Sequence, residues 1–149
     1  MVSYQKIFVF SLLLNLVSQT GATGLSKGTT YALPSGSQYP IQAVFSSNGL
    51  YLATADSNSQ SVTMFNVGRA GQLSGATSYL ISLPELIPTS LTFSPGSAYL
   101  ATSNSSGSVS IFTVSANGTL TGPVTYALPS GSSDPVRIAF SPNGLSCYC

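Results

Sequence analysis

Along most of this chain, apolar side chains fall in short runs that alternate with polar ones, and each run is closed by Gly, Pro, Asn or Ser. Alternation of this kind marks strands that present successive side chains to opposite faces. The pattern predicts strands over 41–45, 50–55, 61–67 and 78–83, then over 89–93, 98–103, 108–114 and 124–128. Asn48-Gly49, Pro95-Gly96 and Asn143-Gly144 supply tight turns after the first strand of each set, where Gly or Asn accepts a positive φ. Beyond the first two dozen residues no stretch of helical length carries an apolar helical stripe. The fold class is all-β.

The same pattern is written more than once. Phe45 and Phe93 are 48 positions apart, and Phe93 and Phe140 are 47. Pro40, Pro88 and Pro135 each stand five residues before the Phe, and Tyr51-Leu52-Ala53-Thr54 returns as Tyr99-Leu100-Ala101-Thr102. Val62 to Val67 is echoed by Val109 to Val114, and Thr30 to Ser37 reappears letter for letter from Thr125 to Ser132.

The third strand of each unit indicates how the units pack. Val62 and Met64 lie on one face and Phe65 and Val67 on the other; Val109 and Ile111 likewise oppose Phe112 and Val114. A strand apolar on both faces belongs to a sheet covered on both sides. Four-stranded units of this length, stacked face to face, describe an incomplete β-propeller of antiparallel blades. The expected layout is an outer strand over 29–33, a blade over 41–83, a second over 89–128 and the start of a third over 136–149. A β-sandwich of roughly eight to ten strands is the structural alternative.

Phe-Ser-Pro-x-Gly followed by Tyr-Leu-Ala-Thr, a Val-x-x-Phe-x-Val strand and Gly-x-Leu resembles the lactonase-like, YVTN-type propeller repeats. The resemblance covers nearly the whole chain after residue 24. It implies that the Phe-Ser-Pro element closes the innermost strand of a blade and that Tyr-Leu-Ala-Thr is the second. WD-repeat proteins share the Phe-Ser-Pro turn, but Phe65-Asn66 and Phe112-Thr113 stand where their Trp-Asp dipeptide would be. Family members with lactonase activity close seven blades around a channel. Their acid, base and metal-ligand residues match no position here.

Composition narrows the partners. Only 5% of the 149 residues are charged, against roughly a quarter in ordinary globular chains, while 43% are hydrophobic. With a net charge of +1 there is no basic patch for nucleic acid and no acidic face for cations. Residues 1–24 differ from the rest: Lys6, the apolar run Ile7 to Val17 and a small, polar exit at 18–24 match a secretory signal peptide, with cleavage after Ala22 or Gly24. The run is shorter than the about twenty residues a membrane-spanning helix needs. An uncleaved anchor or a buried helix is the alternative. The expected location is secreted, periplasmic or extracellular, with no membrane span in the mature chain.

Candidate chemistry is sparse. The chain has no His, so neither a Ser-His-Asp nor a Cys-His arrangement can be built, and no metal site or cofactor is expected. Cys147 and Cys149 read as incidental thiols near the end of the sequence, and Asp56 as a turn cap after the second strand. Gln42, Ser90 and Arg137 occupy one repeat position on successive inner strands, with Asp134 beside Arg137; in a propeller these four are the candidate channel-lining residues. Their alternative role is that of ordinary polar positions on a solvated strand face. Asn104-Ser105-Ser106 and Asn117-Gly118-Thr119 are glycosylation sequons expected in turns, of use in a eukaryotic source.

Two functional readings result: a secreted, non-catalytic binding or assembly module, and a piece of a lactonase-type (6-phosphogluconolactonase-like) propeller hydrolase. Open end blades predict exposed apolar faces, and hence association with other blades or with copies of the chain. By sequence count, two and a third blades taken three times makes a seven-bladed ring.

Overall fold

The structure is a computed structural model and describes residues 29–81, 86–130 and 135–149. The expected signal peptide, Glu85 and Asp134 lie outside the described residues. Two four-stranded antiparallel sheets carry the chain, each a simple meander with its strands in sequence order. The first contains β1 (Pro40–Phe45), β2 (Tyr51–Asp56), β3 (Ser61–Val67) and β4 (Leu73–Leu80). The second contains β5 (Pro88–Phe93), β6 (Tyr99–Asn104), β7 (Ser108–Val114) and β8 (Leu120–Ala127). A two-residue hairpin, β9 (Ala139–Phe140) with β10 (Cys147–Tyr148), begins a third. Over the described residues these sheets are arranged as successive, unclosed propeller blades, not as the paired sheets of a sandwich.

The turn after each first strand is built by one serine. Ser46 N donates to the Tyr51 carbonyl at 2.9 Å, and Tyr51 N donates in return to Ser46 Oγ at 2.9 Å. Ser94 receives Tyr99 N at 3.0 Å and Ser141 receives Ser146 N at 3.0 Å in the same way. The hydroxyl closes the turn locally, so the motif folds alike in all three copies.

Both faces of each blade are buried, as the third strands require. Val62, Met64, Ala53 and Ala55 of the first blade pack against Leu91, Leu100, Phe112 and Leu120 of the second in one shared core. The first blade's opposite face gathers Leu52, Phe65 and Leu73 beneath Tyr31 and Leu33. The second blade's opposite face gathers Ala101 and Val109 beneath Ile138, Phe140 and Cys147. Each blade thus has a near face, toward the preceding chain, and a far face, toward the following chain.

Four expectations change. The fourth strands begin at Leu73 and Leu120 rather than at 78 and 124, because Gly75 and Gly122, at φ +61° and +106°, sit beside register shifts and let the chain rejoin the ladder at once. Residues 29–33 form no strand ladder; Tyr31 and Leu33 dock by their side chains alone. The third copy forms a hairpin rather than a lone strand, since Cys147 pairs with Phe140 as Leu52 pairs with Phe45 and Leu100 with Phe93. Cys147 is therefore a half-buried packing residue, and that burial pushes its thiol pKa up.

Candidate functional site

The inner strands β1 and β5 lie side by side. Gln42 crosses between them, its Oε1 accepting from Leu91 N at 2.7 Å. An inner strand leaves one edge unpaired by its own sheet, and this side chain satisfies an N–H on that edge. Ser90, at the same repeat position, is 5% exposed, and Arg137 is exposed. The three positions expected to line a channel thus differ: one bridges two blades, one is buried and one faces solvent. Thr89 ties the second blade to the third copy, donating to the carbonyl of Pro135.

A cavity of about 110 Å³ opens on the near face of the first blade, lined by Tyr31, Leu33, Ile41, Gln42, Phe65 and Leu73 among others. Its lining is mostly apolar, with Gln42 and Thr54 as polar contributors. Beside Thr54 stands Asp56, the one carboxylate side chain among the described residues. Asp56 ends β2 and is fully buried; Thr54 Oγ1 donates to its Oδ1 at 2.9 Å and Thr63 Oγ1 to its Oδ2 at 2.6 Å. Ser37 Oγ lies 3.1 Å from Thr63 Oγ1, whose proton is already committed, so Ser37 donates. Burial raises the Asp56 pKa to about 6 against the opposing effect of the two threonine hydrogen bonds. Asp56 is thus a buried acceptor bonded to Thr54 and Thr63, where the sequence suggested a turn cap.

Asn104 fills the equivalent place in the second blade. Thr102 Oγ1 donates to its Oδ1 at 3.1 Å, and its Nδ2 donates to Ser108 Oγ at 3.1 Å and Ser110 Oγ at 2.9 Å. This amide is 0% exposed and its oxygen and nitrogen are both hydrogen-bonded within the blade, so in the fold the Asn104 side chain has a structural part. Asn117 is exposed in the turn before β8, its Oδ1 accepting from Thr119 N at 3.1 Å. Periodicity shows neither environment; the signal for both is the recurring Thr-x-Asp/Asn at the end of the second strand, followed by Ser-x-Thr/Ser near the start of the third.

Among the described residues no group of three or more His, Cys, Asp or Glu could hold a metal ion, and no helix is long and apolar enough to cross a membrane. No family model and no curated protein matches the chain. Solved structures do. A candidate 6-phosphogluconolactonase from Bacteroides fragilis is 28% identical over 83% of this chain and 35% of its own, with a TM-score of 0.71. A second, from Bacteroides uniformis, is 26% identical over 74% of this chain and 32% of its own, with a TM-score of 0.63. A periplasmic gluconolactonase from Pseudomonas aeruginosa shares the fold at 21% identity, covering 79% of this chain and 34% of its own, with a TM-score of 0.66. The chain spans about a third of the length of these structures. Taken with the meander blades and their shared core, these similarities show that the chain shares the blade architecture of lactonase-type β-propeller structures over the two described blades and the inner hairpin of a third.

Proposed function

We propose that this chain contributes blades to a secreted lactonase-type propeller that acts on a sugar-acid lactone. The observation that carries the reading is the similarity, above one quarter identity, to two candidate 6-phosphogluconolactonases over most of the chain. The inner-strand positions Gln42, Ser90 and Arg137, with Asp134, are the groups to be tested for substrate contact. Arg137 is an exposed cation just before the inner strand β9 and suits the anionic part of a sugar-acid phosphate. The described residues present no general acid–base pair at these positions, so the part assigned to them is binding and orientation.

A second reading, a non-catalytic binding or assembly module, is favoured by the absence of His and the presence of only three acidic residues in the sequence. One experiment separates the two. The purified protein is given 6-phosphogluconolactone and gluconolactone, and ring opening is followed against the buffer rate, with calorimetry alongside. Turnover reduced by Arg137→Ala supports the hydrolase. Binding without turnover supports the module, and neither binding nor turnover removes the lactone reading.

A further inference from the structure

Where the outer half of the first blade meets the β7–β8 turn of the second, the fold leaves a polar notch of about 70 Å³. Asn66, Gly75, Thr77, Tyr79, Asn117 and Thr119 line it, and none of them is charged. Both walls belong to complete four-stranded blades, and β3 and β4 lie at the far end of their sheet from the inner strand β1 that carries Gln42. The notch is therefore separate from the inner-strand positions.

Glycine makes the space. A Cβ on Gly75 would stand 2.6 Å from Asn66 Nδ2, and one on Gly118 would stand 3.2 Å from Asn66 Oδ1. The Asn66 amide is thus seated between two residues that lack side chains. The opposite wall is held in shape before any ligand arrives. Tyr51 Oη donates to the Ala116 carbonyl at 2.7 Å and Gly118 N to the Ser115 carbonyl at 2.9 Å, while Asn117 Oδ1 accepts from Ser115 Oγ at 2.6 Å and from Thr119 N at 3.1 Å. These bonds use Asn117 Oδ1 and leave its Nδ2 free. The Asn66 amide and the hydroxyls of Tyr79 and Thr119 likewise make no side-chain hydrogen bond among the described residues. Polar groups that the fold gathers in a preformed hollow and does not use are suited to a ligand of matching pattern.

The repeat shows that these groups are not needed to build a blade. Thr113 and Val124 stand one repeat after Asn66 and Thr77, and Ala70 stands one repeat before Asn117, yet both sheets have the same strand order. We propose that the notch binds one edge of an uncharged sugar ring. The Asn66 amide offers a donor and an acceptor side by side, which match two neighbouring hydroxyls, each of them donor and acceptor at once. An ionic ligand would lose its hydration there without finding an opposite charge. The volume has room for about five waters, so a ring edge enters and the rest of the sugar stays outside. The sugar can come from solution or be the first residue of a glycan carried by Asn117 itself. The inference does not rest on the lactone reading, since the site shares no residue with Gln42, Ser90 or Arg137.

Protein made in a bacterial host without a glycan tests it, by titration with glucose, galactose and N-acetylglucosamine followed through its amide NMR signals. At least one of these sugars is expected to give saturable shifts centred on Asn66, Thr77, Asn117 and Thr119. Asn66→Thr and Thr77→Val install the residues that the other blade carries, so circular dichroism should match the parent protein. The dissociation constant for that sugar should rise about fivefold or more in Asn66→Thr. If no sugar gives saturable shifts at these residues, or if both variants bind as tightly as the parent, the proposal fails. Protein carrying a glycan at Asn117 separates the two sources. An Asn66 signal already at its bound position and unmoved by free sugar marks the chain's own glycan as the occupant, whereas continued titration marks a sugar from solution.

Discussion

A Cβ placed on Gly118 would stand 2.5 Å from Cε1 of Tyr51, and the Tyr51 hydroxyl donates to the carbonyl of Ala116 at 2.7 Å. The second strand of the first blade is thereby keyed into the last turn of the second blade. Gly118 also sits at φ +83°, in a region where a side chain is strained.

From this contact, Gly118→Ala is expected to cost about 2–5 kcal/mol, from backbone strain together with overpacking against the ring. Gly49→Ala is the control, because Gly49 has φ +71° but open space around it, and it should lose only about 1–2 kcal/mol. Urea unfolding of the two variants checks the difference. Equal losses would show that the ring is free to move aside.

Asp56 gives a pH dependence with an unusual sign. Its pKa is raised from 3.8 to about 6, so the folded protein holds the proton more tightly than the unfolded chain does. The contribution to stability is fully present below about pH 4, falls as the pH rises through 6 and is flat above that, a change on the order of 3 kcal/mol. Asp56→Asn copies the residue that serves the same place at Asn104, and Ser61 and Thr63 stand at the positions of Ser108 and Ser110 to receive its amide. The variant should be more stable than the parent at pH 7 and should lose this slope, as read by thermal melts across pH 4–8. A variant less stable than its parent at pH 7 would contradict the assignment.

Phe112 is 0% exposed and lies in the core shared by the two blades. Phe112→Ala is expected to cost about 3–5 kcal/mol. Because the cavity would open between blades rather than within one, both should melt together. Hydrogen exchange resolved by residue checks this, through equal loss of protection in β2 and β6.

Produced in a eukaryotic secretory host, the protein is expected to carry a glycan at Asn117 and none at Asn104. Asn117 is exposed in a turn, whereas the Asn104 amide is held by Ser108 and Ser110. Peptide mass mapping before and after glycosidase treatment reads this directly. A glycan found on Asn104 of folded protein would disprove the buried polar cluster.

Much of the fold was legible from particular residues. The positions of Phe45, Phe93 and Phe140, the turn serines behind them and the two-faced strands at Val62–Val67 and Val109–Val114 specify antiparallel blades without reference to anything distant. Strand ends were less legible. The pattern placed the fourth strands from 78 and 124, while in the structure they begin at Leu73 and Leu120 and carry Gly75 and Gly122 at irregularities.

The candidate site was least legible, because its residues depend on a neighbouring blade. Gln42 and Ser90 share a repeat position, yet Gln42 finds the N–H of Leu91 across the blade junction while Ser90 is buried. Asp56 and Asn104 look alike as polar strand ends; only packing shows that one is a buried acid and the other a donor of two hydrogen bonds. The sequence alone determined the repeat, the blade and the two buried faces, since these follow from local alternation and turn chemistry. The tertiary structure decided which polar groups are spent on structure and which face remains open, because burial and hydrogen-bond partners are properties of the junction between blades and of no single strand.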